Sequence, residues 1–188
     1  MAYLLDIAGS SILAGLFILM VLAFNVNVDS ASRELYDRSM TQAEAVEAVR
    51  ILDHDLYKIG YRASGQKITL ADSSRVKFFS DLNNDGAIDS VYYFLGTTGE
   101  MTSTQNPNDR PVYRSQNDTT VLCMIVRDFK ISYLDSAGTR LSYAALTSAS
   151  ERAKIKNLQV FVHFESAYST EGNYDSFSMR KTVRPKNI

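Results

Sequence analysis

Cysteine is almost missing from this chain. Cys123 stands alone among 188 residues, so no internal disulfide can form, and its place in the apolar run Val121 to Val126 marks a small buried hydrophobe rather than a reactive thiol. An excess of either charge is missing as well: 20 Lys and Arg face 21 Asp and Glu, for a net charge of −1. Lys and Arg never gather into a patch-sized run, which removes the electrostatic footprint that nucleic-acid binding needs. Histidine occurs twice, and neither His54 nor His163 has metal-type spacing or a nucleophile motif beside it. Asp53 and Asp55 flank His54, but one-residue steps on a helix point in different directions and do not converge. Each histidine therefore reads as a surface or edge side chain, and the chain as a non-enzyme. Proline occurs only three times, and the stretch Asn25 to Ile59 holds neither proline nor glycine.

One long apolar run is present, and it lies near the N-terminus. Ile7 to Phe24 carries no charge over 18 residues, at the lower end of what spans a bilayer and too long for a typical signal-peptide core. Ile7, Ile12, Leu13, Leu16, Phe17, Ile18, Leu19, Val21, Leu22 and Phe24 each favour a helix centre in lipid by roughly 0.3–0.6 kcal/mol, so insertion gains about 3–6 kcal/mol before small-residue costs. With no breaker between Asn25 and Gly60, one helix is expected from Ile7 to Ile59, ~80 Å long at ~1.5 Å per residue, with Gly60 as its C-terminal cap. Its outer half is amphipathic. Leu35, Val46, Val49, Leu52, Leu56 and Ile59 recur at helical steps, while Glu34, Asp37, Arg38, Glu44, Glu47, Arg50 and Asp53 occupy other faces.

Beyond Gly60 the texture changes to short β-branched and aromatic stretches separated by Gly, Asn, Asp and Ser. Strands are expected near Lys67 to Ala71, Arg75 to Ser80, Ile88 to Leu95, Val121 to Leu134, Asn157 to Glu165 and Ser176 to Val183. Thr97 to Arg110 reads as a surface loop, and Ser148 to Lys156 as a helical turn with Ser148 or Ser150 as N-cap. The fold class is α+β: a long N-terminal helix, with a membrane half and an amphipathic half, packed on an antiparallel β-sheet head. The segments divide as 1–28, 29–60 and 61–188.

That arrangement resembles type IV pilins and the pseudopilins of type II secretion. Those proteins begin, after leader cleavage, with a pattern like Phe-Thr-Leu-Ile-Glu; with Met1 removed, Ala2-Tyr3-Leu4-Leu5-Asp6 puts Asp6 fifth. The order Phe78 to Asp89, then Tyr92-Tyr93-Phe94-Leu95, then Val112-Tyr113-Arg114 is similar to PilW-type minor pilins, as are Val126 to Asp135 and the ending Val183-Arg184-Pro185-Lys186-Asn187. The sequence departs from the family in having no basic leader ending in Gly before Ala2, which fits either a mature form given a start Met or a leaderless branch. The nearest basic residues, Arg33 and Arg38, follow the apolar run, where the positive-inside rule alone would keep the head cytoplasmic.

The resemblance implies that Asp6 pairs with the N-terminal ammonium at Ala2 of a neighbouring subunit, whereas its position alone would let it reach into the headgroup region. Gly9, Ser11 and Gly15, with Ala8 nearby, offer small residues for close helix packing. A second candidate lies in the loop Asp81-Leu-Asn83-Asn-Asp85-Gly86-Ala87-Ile-Asp89. It supplies oxygens from Asp81, Asn83, Asp85 and Asp89, a backbone carbonyl at Ala87, and a glycine at the sixth position, which is most of a calcium loop. Tyr92 replaces the bidentate Glu at position twelve, so a site would need Asp72, Glu100 or water. Asn84-Asp85-Gly86 is equally strong turn chemistry for a hairpin, and both readings stand.

The function these features suggest is a structural, minor subunit of a type IV pilus-like filament or secretion pseudopilus. It would be held in the inner membrane before assembly and then form part of a periplasmic or cell-surface filament. Calcium is its one candidate cofactor. Its implied partners are other pilin-like subunits, met through the N-terminal helix, and the assembly machinery; nucleic acid is not among them. The alternative is a single-pass, membrane-anchored binding module that does not polymerise. A secreted domain with residues 1–30 removed as a signal peptide is disfavoured, because no positive charge precedes the apolar core.

Overall fold

The computed structural model describes residues 2–169 and 172–188, leaving aside the side chains of Ala2 and Asp37. Met1, whose removal would make Asp6 fifth, lies outside the described residues. The chain forms two compact units, Met1–Met40 and Thr41–Ile188. Helix α1 is assigned without interruption over Ala2–Tyr57, as the lack of any breaker implies.

In the first unit every residue from 3 to 33 is exposed, the whole apolar run included. The helix is long and apolar enough to cross a membrane. Its polar surface carries i,i+4 pairs, Arg33 with Asp29 at 2.9 Å and Arg38 with Glu34 at 3.1 Å, each contributing only about 0.3–0.5 kcal/mol.

In the second unit the end of α1 buries Ala45, Ala48, Val49, Leu52 and Leu56, with Ile59 just beyond it. Leu52, Leu56 and Ile59 meet expectation, but Val46 is exposed and Ala45 and Ala48 take its place. At about 100° per residue Val46 lies roughly 110° round from the middle of the buried stripe, so its apolar character does not bring it to the core. Leu35, in the first unit, is likewise exposed.

The helix ends at Tyr57 in tightened turns, where Lys58 N–H reaches Asp55 O at 3.2 Å and Ile59 N–H reaches Leu56 O at 3.3 Å. Gly60 follows with φ of 77°. Its N–H goes to Phe79 O at 2.9 Å rather than back to the helix, so Gly60 joins the chain to a strand instead of capping α1.

Among the described residues eight strands form two antiparallel sheets where one had been expected. β1 (Ile68–Ala71), β2 (Arg75–Ser80), β3 (Asp89–Leu95), β4 (Arg110–Gln116) and β5 (Thr119–Val126) form a five-stranded meander. β6 (Asp128–Leu134), β7 (Asn157–Glu165) and β8 (Ser176–Val183) form the second sheet in the order β6-β7-β8. The expected single strand Val121 to Leu134 is thus cut at Arg127, whose N–H donates to His163 O at 2.8 Å, and its halves join different sheets. β4 was not expected because Pro111 opens a short, mostly polar run. Pro111 keeps its register opposite Ile125, and one position further on a shift between Val112 and Tyr113 leaves Cys123 of β5 unpaired in the ladder. α2 (Ala149–Arg152) is a single turn with Ser148 at its N-cap, although the Ser148 hydroxyl meets Ser150 Oγ at 2.8 Å rather than a helix N–H.

Both sheets contribute to one apolar cluster with the end of α1. β7 alternates buried and half-buried residues along its length, as the pattern Leu158-Gln-Val-Phe-Val-His-Phe-Glu165 requires. Gly60→Ala tests the turn at the helix end: an added Cβ would lie 2.7 Å from Lys67 Cδ and 2.8 Å from the Asn187 carbonyl oxygen. The variant is expected to lose about 1–3 kcal/mol in urea unfolding.

Candidate functional site

Asp6, Gly9, Ser11 and Gly15 all lie on the exposed surface of α1. The Ser11 hydroxyl donates to Ala8 O at 2.9 Å, and a Cβ added at Gly9 or Gly15 would meet nothing within 4 Å. Ala8, Ser11 and Gly15 follow one another at i, i+3 and i+7 and make one row. Gly9 lies about 200° round the helix from Ser11 and belongs to another face.

The loop between β2 and β3 is densely hydrogen-bonded. β2 and β3 pair up to Ser80 and Asp89, so the hairpin reading holds as structure. Asp81 is fully buried. Its Oδ2 accepts from Arg62 Nη1 at 2.9 Å and from Gly86 N–H at 3.1 Å. Asn83 Oδ1 accepts from Asp85 N–H at 3.2 Å, and Asp85 Oδ1 from Ala87 N–H at 2.7 Å. Positive φ angles at Asn84 (62°) and Gly86 (90°) turn the chain, the second at the residue type that tolerates it best. The loop is fastened to the helix end by Lys58 Nζ, which donates to Leu82 O at 2.6 Å, and by the Ser80 hydroxyl, which donates to Lys58 O at 2.7 Å.

Asp89 takes its bonds from both ends of the hairpin's surroundings. Its Oδ2 accepts from Leu82 N–H at 3.0 Å and its Oδ1 from Asn117 Nδ2 at 2.6 Å. Burial alone would raise its carboxyl, but these donors, with Gln116 and Arg114, hold it below the usual carboxylate range. Asn117 and Asp118, with φ of 47° and 70°, form the two-residue turn between β4 and β5. Asp89 is therefore a strut between two hairpins. Asp72 and Glu100 are engaged elsewhere: Asp72 pairs with Arg75 at 2.6 Å, and Glu100 accepts from Thr97 N–H at 2.9 Å. Among the described residues no three His, Cys, Asp or Glu side chains gather as a metal cluster.

Two polar clusters escaped sequence reasoning. Asp55 Oδ2 accepts from the Tyr93 hydroxyl and from Arg114 Nε, both at 2.7 Å, and Asp55 Oδ1 lies 3.3 Å from His54 Nδ1. An acid between Leu52 and Leu56 on the buried side of the helix was the available signal. Burial beside Asp55 carries the Tyr93 phenol far above its ordinary value, and burial pushes the nearby Cys123 thiol up to about 11, so it stays protonated. The second cluster lies in the loop expected to be on the surface. Asn106 and Asp109 are buried there, and Asn106 Nδ2 donates to Glu165 Oε2 at 3.0 Å while Arg127 pairs with Glu165 Oε1. His163 sits on the central strand β7, not an edge; its Nδ1 lies 3.6 Å from Asp128 Oδ2.

Comparison of the chain with protein-family models, with curated proteins and with solved structures gives no match.

The two unforeseen clusters carry opposite expectations. Asp55→Ala leaves the half-buried Arg114 and the buried Tyr93 hydroxyl without their carboxylate and is expected to cost about 2–4 kcal/mol in urea unfolding. Asp109 is raised by burial, with the Thr104 hydroxyl opposing and Glu165 adding to the rise. Its penalty on the folded state is absent below the unfolded carboxylate value, grows as pH rises toward the raised folded value, and is complete above it. Asp109→Asn is therefore expected to stabilise the protein at neutral pH by on the order of 1 kcal/mol and to remove that part of the pH dependence of unfolding.

Proposed function

We propose that this protein is a structural subunit, of the minor kind, of a pilin-like filament or pseudopilus, held in the inner membrane before assembly. The observation that carries the reading is the character of α1. An exposed apolar stretch continues without a breaker into the turns that form the core with the sheets. An apolar surface of that length is covered by lipid before assembly and by like helices afterwards. Transfer between those surroundings gains little net energy, so directionality comes from charge pairing, docking of heads and an energy-driven assembly machinery. Asp6 is the charge available for register. An acid and an ammonium at about 4 Å attract by about 4 kcal/mol at an effective dielectric near 20, before desolvation is subtracted. The sheets supply lateral contacts, and no catalytic role is assigned to any residue.

Material sheared from cells producing the chain, viewed by electron microscopy and probed with antibody, is expected to contain it in filaments. Asp6→Ala is expected to lower the filament fraction at least tenfold while membrane-bound protein persists. Monomers alone, with unchanged behaviour of the variant, would favour an anchored binding module instead.

A further inference from the structure

We propose that the loop between β2 and β3 is a calcium site, built from Asp81 Oδ1, the side-chain oxygens of Asn83 and Asp85, the carbonyl of Ala87 and water. The proposal is independent of whether the chain polymerises. It stands on one atom: Asp81 Oδ1 is closed to solvent and has no hydrogen-bond partner, on a side chain that is fully buried. A buried carboxylate oxygen left unpaired is costly, and an ordered water or an ion is the partner such an atom takes when one is at hand. Arg62 and Gly86 N–H occupy only Oδ2, and the second of these bonds ties the carboxylate to the loop.

The partner is a cation rather than a lone water because of what else faces the same turn. Asn83 and Asp85 are each held through an oxygen by the N–H two residues on, which leaves lone pairs of both free to coordinate. Asn83 Nδ2 in turn donates to Asp85 Oδ2 at 2.7 Å, fixing the two side chains together. The donor set is all oxygen, mixes carboxylate, amide and carbonyl, and lies on an exposed loop. That suits calcium, which accepts irregular geometry, better than magnesium, which demands a near-octahedral shell. Asp89 stays outside the set as the strut that joins Leu82 N–H to Asn117 Nδ2. With two carboxylates and no bidentate acid, affinity is expected in the weak class of about 10⁻⁴–10⁻³ M. Because Asp81 meets Arg62, and Leu82 O meets Lys58, a bound ion would brace the segment that follows α1.

The full chain in detergent micelles, stripped with chelator and titrated with calcium chloride in a calorimeter, is expected to bind one ion per chain. About 10 mM calcium should raise the melting temperature by roughly 3–5 °C. Asp85→Ala and Asn83→Ala, both at exposed positions, should each weaken binding at least tenfold and abolish the calcium-dependent shift; Asp118→Ala, in the neighbouring turn, should keep it. Absence of heat and shift in the parent chain overturns the site. So does an Asp85→Ala variant that responds to calcium as the parent does, and an equal response to magnesium overturns the choice of ion.

Discussion

Leu52, Leu56 and Ile59, each no more than 1% exposed, are the residues on which both sheets close. Leu52 and Leu56 share one face at the end of α1 and Ile59 follows in the tightened turn, and the packing of the second unit depends on that face remaining helical to Tyr57. Val49, Leu52 and Leu56 line an apolar groove with Val160, Val162, Met179 and Val183 of the three-stranded sheet. Asp55, one position before Leu56, ties the same turns to Tyr93 and Arg114 of the five-stranded sheet. One stretch of helix thus shares an apolar core with both sheets and adds an ion pair at Asp55 to the five-stranded one. The apolar contacts tolerate sliding, whereas two hydrogen bonds on one carboxylate oxygen fix position and register.

Around this core, polar side chains fix the connections. Gly60 N–H on Phe79 O, Lys67 Nζ on Asn187 O and Lys58 Nζ on Leu82 O bind the segment after α1 to the β2–β3 hairpin and to the C-terminus. Asn117 joins that hairpin to the next one through Asp89 and through Ser90 N–H at 2.9 Å. Tyr133 closes the seam between the sheets, its hydroxyl donating to the carbonyls of Asp72 and Arg75 on the rim of the other sheet. Each of these links joins residues far apart in sequence, which is why none of them has a local signature.

Elements whose signal is local were legible before any coordinates. The α-helix follows from a long breaker-free stretch, and β2, β7 and β8 fall at the expected residues because alternation and bounding turn residues lie within a few positions of each other. The strand Arg110–Gln116 was not legible, since Pro111 argues against a strand unless a neighbour permits a bulge. The break at Arg127 was hidden for a similar reason: the apolar pattern runs straight through it, and only the second sheet's claim on the chain turns it. In the candidate loop, the turn and its oxygen-rich residues could be read directly. The division of labour between Asp81, held by Arg62, and Asp89, held by Asn117, could not, because both holders come from elsewhere in the chain.

By itself the sequence determined a long helix with a wholly apolar stretch, a β-rich remainder, and a sharp polar turn between Ser80 and Asp89. All three rest on interactions spanning a few residues, namely backbone propensity, periodic burial and turn chemistry. Tertiary structure alone decided that the strands divide between two sheets, that Asp55 and Asp109 are interior, and that one oxygen of Asp81 is sealed off without a partner. Those outcomes depend on which distant surfaces exclude water from a given atom, and no stretch of sequence carries that information until the chain has folded around it.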